Sequence, residues 1–214
     1  MLKRDWKNTI RNSLLFHLRF LQTIILGFLV GGIYFGIERN LDSNIPPRYN
    51  TDFKTIVGFL FLVNWLSFLI SLGPVALSFC LERPLFLKEE NSNLYSTMAF
   101  FLSKNIVEIP FLVLIPLLLC VILYWLVGLS DTLENFFIFY LGVFLIGMTG
   151  NSFGYFAGSI TSNLKAIGVI GPIIVLPTFL FSGYYKNRED LPDWSSWIEY
   201  LSAMKYTHII LVRN

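Results

Sequence analysis

Apolar residues in this chain do not alternate with polar ones at a helical or a strand period; they run on uninterrupted. Five stretches carry no charge at all: 20–37, 55–81, 109–130, 135–164 and 166–185. Each reaches the roughly 18–20 residues that cross a bilayer as a helix. A soluble helix needs a polar face, and a membrane barrel strand is about 10 residues of alternating character; these stretches are neither. The pattern predicts an all-α, polytopic membrane helix bundle with spans at about 17–37, 54–80, 98–128, 134–160 and 165–182.

The flanks complete this picture. Over 1–16, Trp6, Ile10, Leu14 and Leu15 recur at helical spacing with Lys3, Lys7 and Arg11 between them, which predicts a basic amphipathic helix on the membrane surface. The segment 183–214 is semi-polar and rich in Trp and Tyr, residues that favour the lipid–water boundary. Pro192-Asp193 reads as a helix start, and Trp194, Trp197, Ile198 and Leu201 follow at helical spacing, so an external interfacial helix is expected there.

Composition agrees: 55% of residues are hydrophobic and only 14% charged, against about 25% charged in an ordinary soluble domain. The net charge of +2 matters less than its distribution. With the N-terminus on the cytoplasmic side, Lys3, Arg4, Lys7, Arg11, Arg19, Arg83, Lys88, Lys104 and Lys165 face the cytoplasm, nine of the 16 basic residues. The densest cluster adjoins the first span, where the positive-inside rule weighs most. An N-in chain with five spans leaves its C-terminal tail outside.

Inside the spans the small and polar residues stand out. Gly27, Gly31, Gly32 and Gly36 form two overlapping G-x-x-x-G patterns in the first span, and Gly150, Gly154 and Gly158 repeat the step in the fourth. Such faces let helix backbones approach in lipid. The third span holds Lys104 and Glu108 one turn apart, a spacing that allows a pair, with Arg83 as another partner for Glu108. Pro110 and Pro116 are expected to bend it. Cys80 and Cys120 suggest small buried residues rather than a disulfide or metal framework. His17 and His208 fall on opposite sides of the bilayer in this topology, so an intramembrane enzyme or metal centre built on them is not expected. The connector 82–97 is short, charged and cytoplasmic, with room for two to three helical turns after Pro84.

These blocks together resemble a known family. Lys3-Arg4-Asp5-Trp6 through Arg11-Asn12, then Glu82-Arg83-Pro84-x-Phe86 with Glu89 and Tyr95, then Phe101-Leu102-Ser103-Lys104 with Glu108-x-Pro110, then Phe181-Ser182-Gly183-Tyr184-Tyr185, and finally Trp197-x-x-Tyr200-x-Ser202-x-x-Lys205-Tyr206 follow in order over nearly the whole chain. The chain resembles the transmembrane domain of G-subfamily ABC half-transporters, the ABC-2 type permease fold. The resemblance implies a connecting helix at 1–16, a coupling loop carrying Glu82, Arg83, Phe86, Glu89 and Tyr95, and a dimer with a second half, identical or different. It places Val63, Ser67 and Ile70 of the second span and Pro172, Leu176 and Phe179 of the fifth on a substrate slit, with Tyr184 and Tyr185 as an outer plug. It implies export of lipid-like or other hydrophobic small molecules at the plasma membrane or an intracellular vesicle membrane, and no nucleic acid partner.

Two departures qualify it. No G-x-x-x-x-G-K-[ST] occurs in these residues, so ATP and magnesium belong to a nucleotide-binding domain elsewhere. The family's sixth helix is likewise not among them. The alternative is therefore a truncated, non-transporting paralogue that binds and regulates a full half-transporter.

Overall fold

The computed structural model describes residues 2–11, 13–36, 51–92, 94–129, 132–184 and 196–213. Seven α-helices occur among them: α1 (Leu2–Arg11), α2 (Ser13–Ile33), α3 (Thr51–Asn91), α4 (Thr97–Val127), α5 (Leu133–Ile160), α6 (Leu164–Leu180) and α7 (Ala203–Arg213), with a 3-10 helix at Ser196–Leu201 before α7. Helices α3, α4 and α5 are long and apolar enough to cross a membrane, while the apolar parts of α2 and α6, His17–Ile33 and Leu164–Leu180, are shorter. Seventeen helical residues rise about 26 Å, short of a core about 30 Å thick.

Caps fix the helix ends. The Ser96 hydroxyl accepts from the Ala99 N–H at 3.4 Å to open α4, and Gly128 closes it in the left-handed region at φ 79°, its N–H donating to Tyr124. The Asn163 side chain caps α6 by accepting from the Lys165 N–H at 3.0 Å. Prolines do not set helix ends here: Pro74 and Pro84 lie inside α3, and Pro110 and Pro116 inside α4, each of which runs on as one helix.

The tightest packing joins α3 to α5. A Cβ added at Gly150 would stand 2.5 Å from the Phe68 carbonyl oxygen, one at Gly154 2.8 Å from that of Leu72, and one at Gly158 2.9 Å from that of Ala76. Glycine is thus required along this stripe because backbone lies on backbone. The Ser67 hydroxyl donates across the same contact to the Val143 carbonyl at 3.0 Å. Helix α2 lies along α4, with Gly27 against Ile122 and Gly31 against Leu126, whereas Gly32 meets nothing within 4 Å. Only the first of the two glycine patterns in α2 is therefore a packing face within the protomer.

Phe59, Val63, Leu119, Leu123, Val143 and their neighbours form the main core between α3, α4 and α5. Phe28, Ile33, Ile109, Trp125, Phe137 and Ile173 are more than half exposed. So much outward apolar surface suits lipid and not water.

Candidate functional site

At the end of the bundle that carries the last turns of α3, charged groups converge from three helices. The Arg4 guanidinium of α1 makes a two-pronged contact with the Glu89 carboxylate, 3.1 Å on each side, the geometry that suits this pair best. The Tyr95 hydroxyl donates to the same carboxylate at 2.5 Å. Asp5, 2% exposed, accepts from the Ser103 hydroxyl at 2.5 Å and lies 3.8 Å from the Lys104 ammonium. Lys104 also pairs with Glu82. Arg83 donates to the Ser162 hydroxyl at 3.0 Å, tying α3 to the residues just beyond α5. The rings of Phe86 and Phe100 stack beneath, centroids 4.6 Å apart. The arrangement is a clasp that locks α1 and the start of α4 onto α3.

Its electrostatics are self-consistent. The hydrogen bond from Arg4 holds the Glu89 carboxyl below the usual carboxylate range, with Tyr95 acting in the same direction. Burial, then the Glu89 carboxylate, push the Tyr95 phenol up to about 12. Glu89 stays charged and Tyr95 stays a donor across the neutral range.

Two expectations change here. The connector after Pro84 is not a separate short helix: α3 continues through it to Asn91 as one rod of 41 residues, about 62 Å long. Nor do Lys104 and Glu108 pair with each other. Glu108 takes the guanidinium of Arg19 on both sides, at 2.7 and 3.1 Å, and Arg19 also lies over the Phe111 ring at 5.2 Å. One-turn spacing permitted a pair on α4, but oppositely charged partners on neighbouring helices offer better geometry in an apolar setting. A lone arginine in the first span and a lone acid in the third were the signal for this contact.

Between α3 and α6 runs an apolar groove of about 400 Å³. Its α6 wall includes Pro172 and Leu176, and its α3 wall includes Trp65, Leu69, Gly73 and Leu77. Val63, Ser67 and Ile70 are not on it: they are at most 4% exposed and turned toward the interior of the protomer. A rotation of about half a turn around α3 separates the two sets; Ser67 is held on the inner side by its bond to the Val143 carbonyl and by its place against Gly147 of α5. Phe179 packs against Trp65 of the groove wall, centroids 4.3 Å apart.

The opposite end is aromatic. Tyr184 follows Gly183, whose φ of 83° turns the chain at the end of α6. Its ring stacks on Phe61 at 4.4 Å and 6°, and His208 meets both rings edge-on at 5.7 and 6.0 Å. Tyr185, Pro192 and Trp194 lie outside the described residues. Over its described residues the interfacial helix expected after Pro192 is the 3-10 helix Ser196–Leu201, with Trp197 and Tyr200 more than half exposed; α7 after it turns inward. Met204, Thr207, His208 and Leu211 are buried, and Asn64 holds the helix inward, donating to the Met204 carbonyl at 3.0 Å and accepting from the Thr207 hydroxyl at 2.9 Å. His208 is thus a buried group. Among the described residues no cluster of His, Cys, Asp and Glu could hold a metal ion.

A family model described as ABC-2 type transporter matches residues 1–214. Protein white of Ceratitis capitata is 30% identical over 220 residues, covering 100% of this chain and 30% of its own length. The ABC transporter ATP-binding protein/permease wht-1 of Caenorhabditis elegans is 29% identical over 212 residues, 99% of this chain and 30% of its length. ABC transporter G family member 4 of Arabidopsis thaliana is 32% identical over 212 residues, 99% of this chain and 35% of its length. The chain thus spans about a third of the length of these curated relatives.

Proposed function

This chain belongs to the ABC-2 type transporter family, and we propose that it is the membrane-spanning part of an ATP-driven exporter for lipid-like or other hydrophobic small molecules. ATP and magnesium act in a nucleotide-binding domain, and a second transmembrane half, identical or different, completes the path. The name of the nematode relative, which joins ATP-binding protein and permease, supports that division of labour. The N-terminus is cytoplasmic, and α2 and α6 cross the membrane with α3, α4 and α5, giving five spans.

The observation that carries this reading is the clasp. A push at the cytoplasmic end meets Arg4–Glu89 and Lys104–Glu82 together. It is delivered to a 41-residue rod whose middle lines the groove and whose far part carries Phe61 of the aromatic cap. The backbone contact at Gly150, Gly154 and Gly158 carries α5 with α3, so motion of the rod opens or closes the groove between α3 and α6. The groove walls are apolar, which selects hydrophobic cargo. Pro172, Leu176, Trp65, Leu69 and Gly73 are its contact residues, and Tyr184 on Phe61 is the outer closure.

Purification from native membranes in mild detergent, followed by an ATPase assay, tests the proposal. A co-purifying nucleotide-binding domain with vanadate-sensitive activity, stimulated by hydrophobic cargo, is the expected result. A complete half-transporter whose activity this chain merely alters would favour a regulator, and no ATPase partner at all would sink the transport mechanism.

A further inference from the structure

Where the α2–α4 pair meets the α3–α5 pair, the four helices leave a small pocket of about 20 Å³ lined by Arg19, Ser71, Glu108 and Asn151, with Ile70 and Phe111 beside them. We infer that this pocket binds one water molecule that bridges the Arg19 guanidinium to the Asn151 side-chain oxygen. Asn151 is 4% exposed, and its Oδ1 has no hydrogen-bond partner among the described residues. An amide oxygen left without a donor in an apolar surrounding is costly, so a native bundle supplies one. The space exceeds the roughly 10–15 Å³ that a single water needs.

The chemistry selects the occupant. Arginine has five N–H donors, and Glu108 takes two of them, so donors remain. Asn151 offers an acceptor. A molecule that accepts on one side and donates on the other completes both, and water is the smallest that does. A metal cation would face the Arg19 charge with its counter-carboxylate already engaged. An anion would face the Glu108 carboxylate and the Asn151 oxygen. The Ser71 hydroxyl, which a Cβ at Gly147 would approach to 3.1 Å, also lines the pocket and provides a third polar contact. Because the bridge is water and not a direct side-chain bond, the two helix pairs are joined at this level by a contact that tolerates small displacements.

The test is a map of the assembled transporter in lipid nanodiscs at a resolution that shows buried waters. The expected result is a density peak about 2.7–3.2 Å from Asn151 Oδ1 and from an Arg19 nitrogen. A pocket without density, in a map that shows waters of similar burial elsewhere, overturns the inference, as does an Asn151 bonded directly to protein. Asn151→Val supplies a second reading, since it fills the space and removes the acceptor. With a bridging water present, the variant loses the bridge and its Tm falls by about 2–4 °C. A Tm that rises would mean that an orphaned, dry acceptor had been removed, and would also overturn the inference.

Discussion

Replacing Gly150 by alanine tests the contact on which the fold turns. The added Cβ would stand 2.5 Å from the Phe68 carbonyl oxygen and 3.2 Å from the Phe68 Cα. Carbon and oxygen approach to about 3.3–3.6 Å at their closest comfortable distance, so α3 and α5 must separate by roughly 1 Å. Neither helix can yield locally, because the obstacle is backbone and Gly154 and Gly158 hold the same line. A gap of about 0.5–1 Å forfeits a quarter to a half of each dispersion contact along the interface, and overpacking of this kind costs about 1–3 kcal/mol. Alanine returns about 1 kcal/mol in helix propensity. The net loss is about 0–2 kcal/mol; against a glycine-to-alanine change that gains the same propensity without the clash it is about 1–3 kcal/mol, a Tm lower by roughly 2–12 °C in a chain of this size. Gly32→Ala is the control, since nothing lies within 4 Å of it, and it should hold or raise Tm. Thermal unfolding in nanodiscs, followed by tryptophan fluorescence, compares the two. If Gly150→Ala melts no lower than Gly32→Ala, the backbone contact between α3 and α5 is wrong.

Glu108→Gln leaves the Arg19 charge, 11% exposed, without its counter-ion and should cost about 3–5 kcal/mol; the double variant Arg19→Met, Glu108→Leu should recover most of that in the same melt. Asn64→Leu removes both contacts to α7 and should loosen that helix, at a cost of about 1–3 kcal/mol, seen as faster tryptic cleavage at Lys205 and Arg213 while α3 to α5 stay protected. The clasp should be indifferent to pH over the neutral range. Glu89, with its carboxyl lowered, contributes stability that is present above its unfolded pKa and lost as pH falls through its lower folded value. Tyr95, raised to about 12, contributes stability present below its unfolded value near 10 and lost as pH rises toward 12. The difference in Tm between the unaltered chain and its Glu89→Gln variant should therefore be constant from about pH 5 to 9 and shrink only beyond those limits.

The helical bundle was legible because apolar continuity and length leave few alternatives. The membrane-crossing helices α3, α4 and α5 begin or end close to the charge-free runs, except where α3 continues past Glu82. Pro84 and the charges after it suggested a break, yet proline in a helix is tolerated when neighbours restrain it, and the clasp does so. The side-chain partners were less legible, since a helix sequence gives spacing but not rotation. Spacing placed Lys104 beside Glu108, while their partners come from other helices. Counting back from Glu82 put Ser67 on the slit, while in this protomer its hydroxyl is buried against α5, donating to the Val143 carbonyl. Asn64, a lone amide among apolar neighbours, was the readable sign that something polar would dock there, though not that it would be α7.

The central claim is that the clasp transmits ATP work to α3. Reconstituting the chain with its nucleotide-binding domain in proteoliposomes, and measuring ATP hydrolysis and export of a fluorescent lipid side by side, tests it most directly. With Glu89→Arg the account predicts that hydrolysis continues while export falls at least tenfold, and that adding Arg4→Glu restores export. Export that is unaffected by Glu89→Arg, or that falls only in step with hydrolysis, would contradict it.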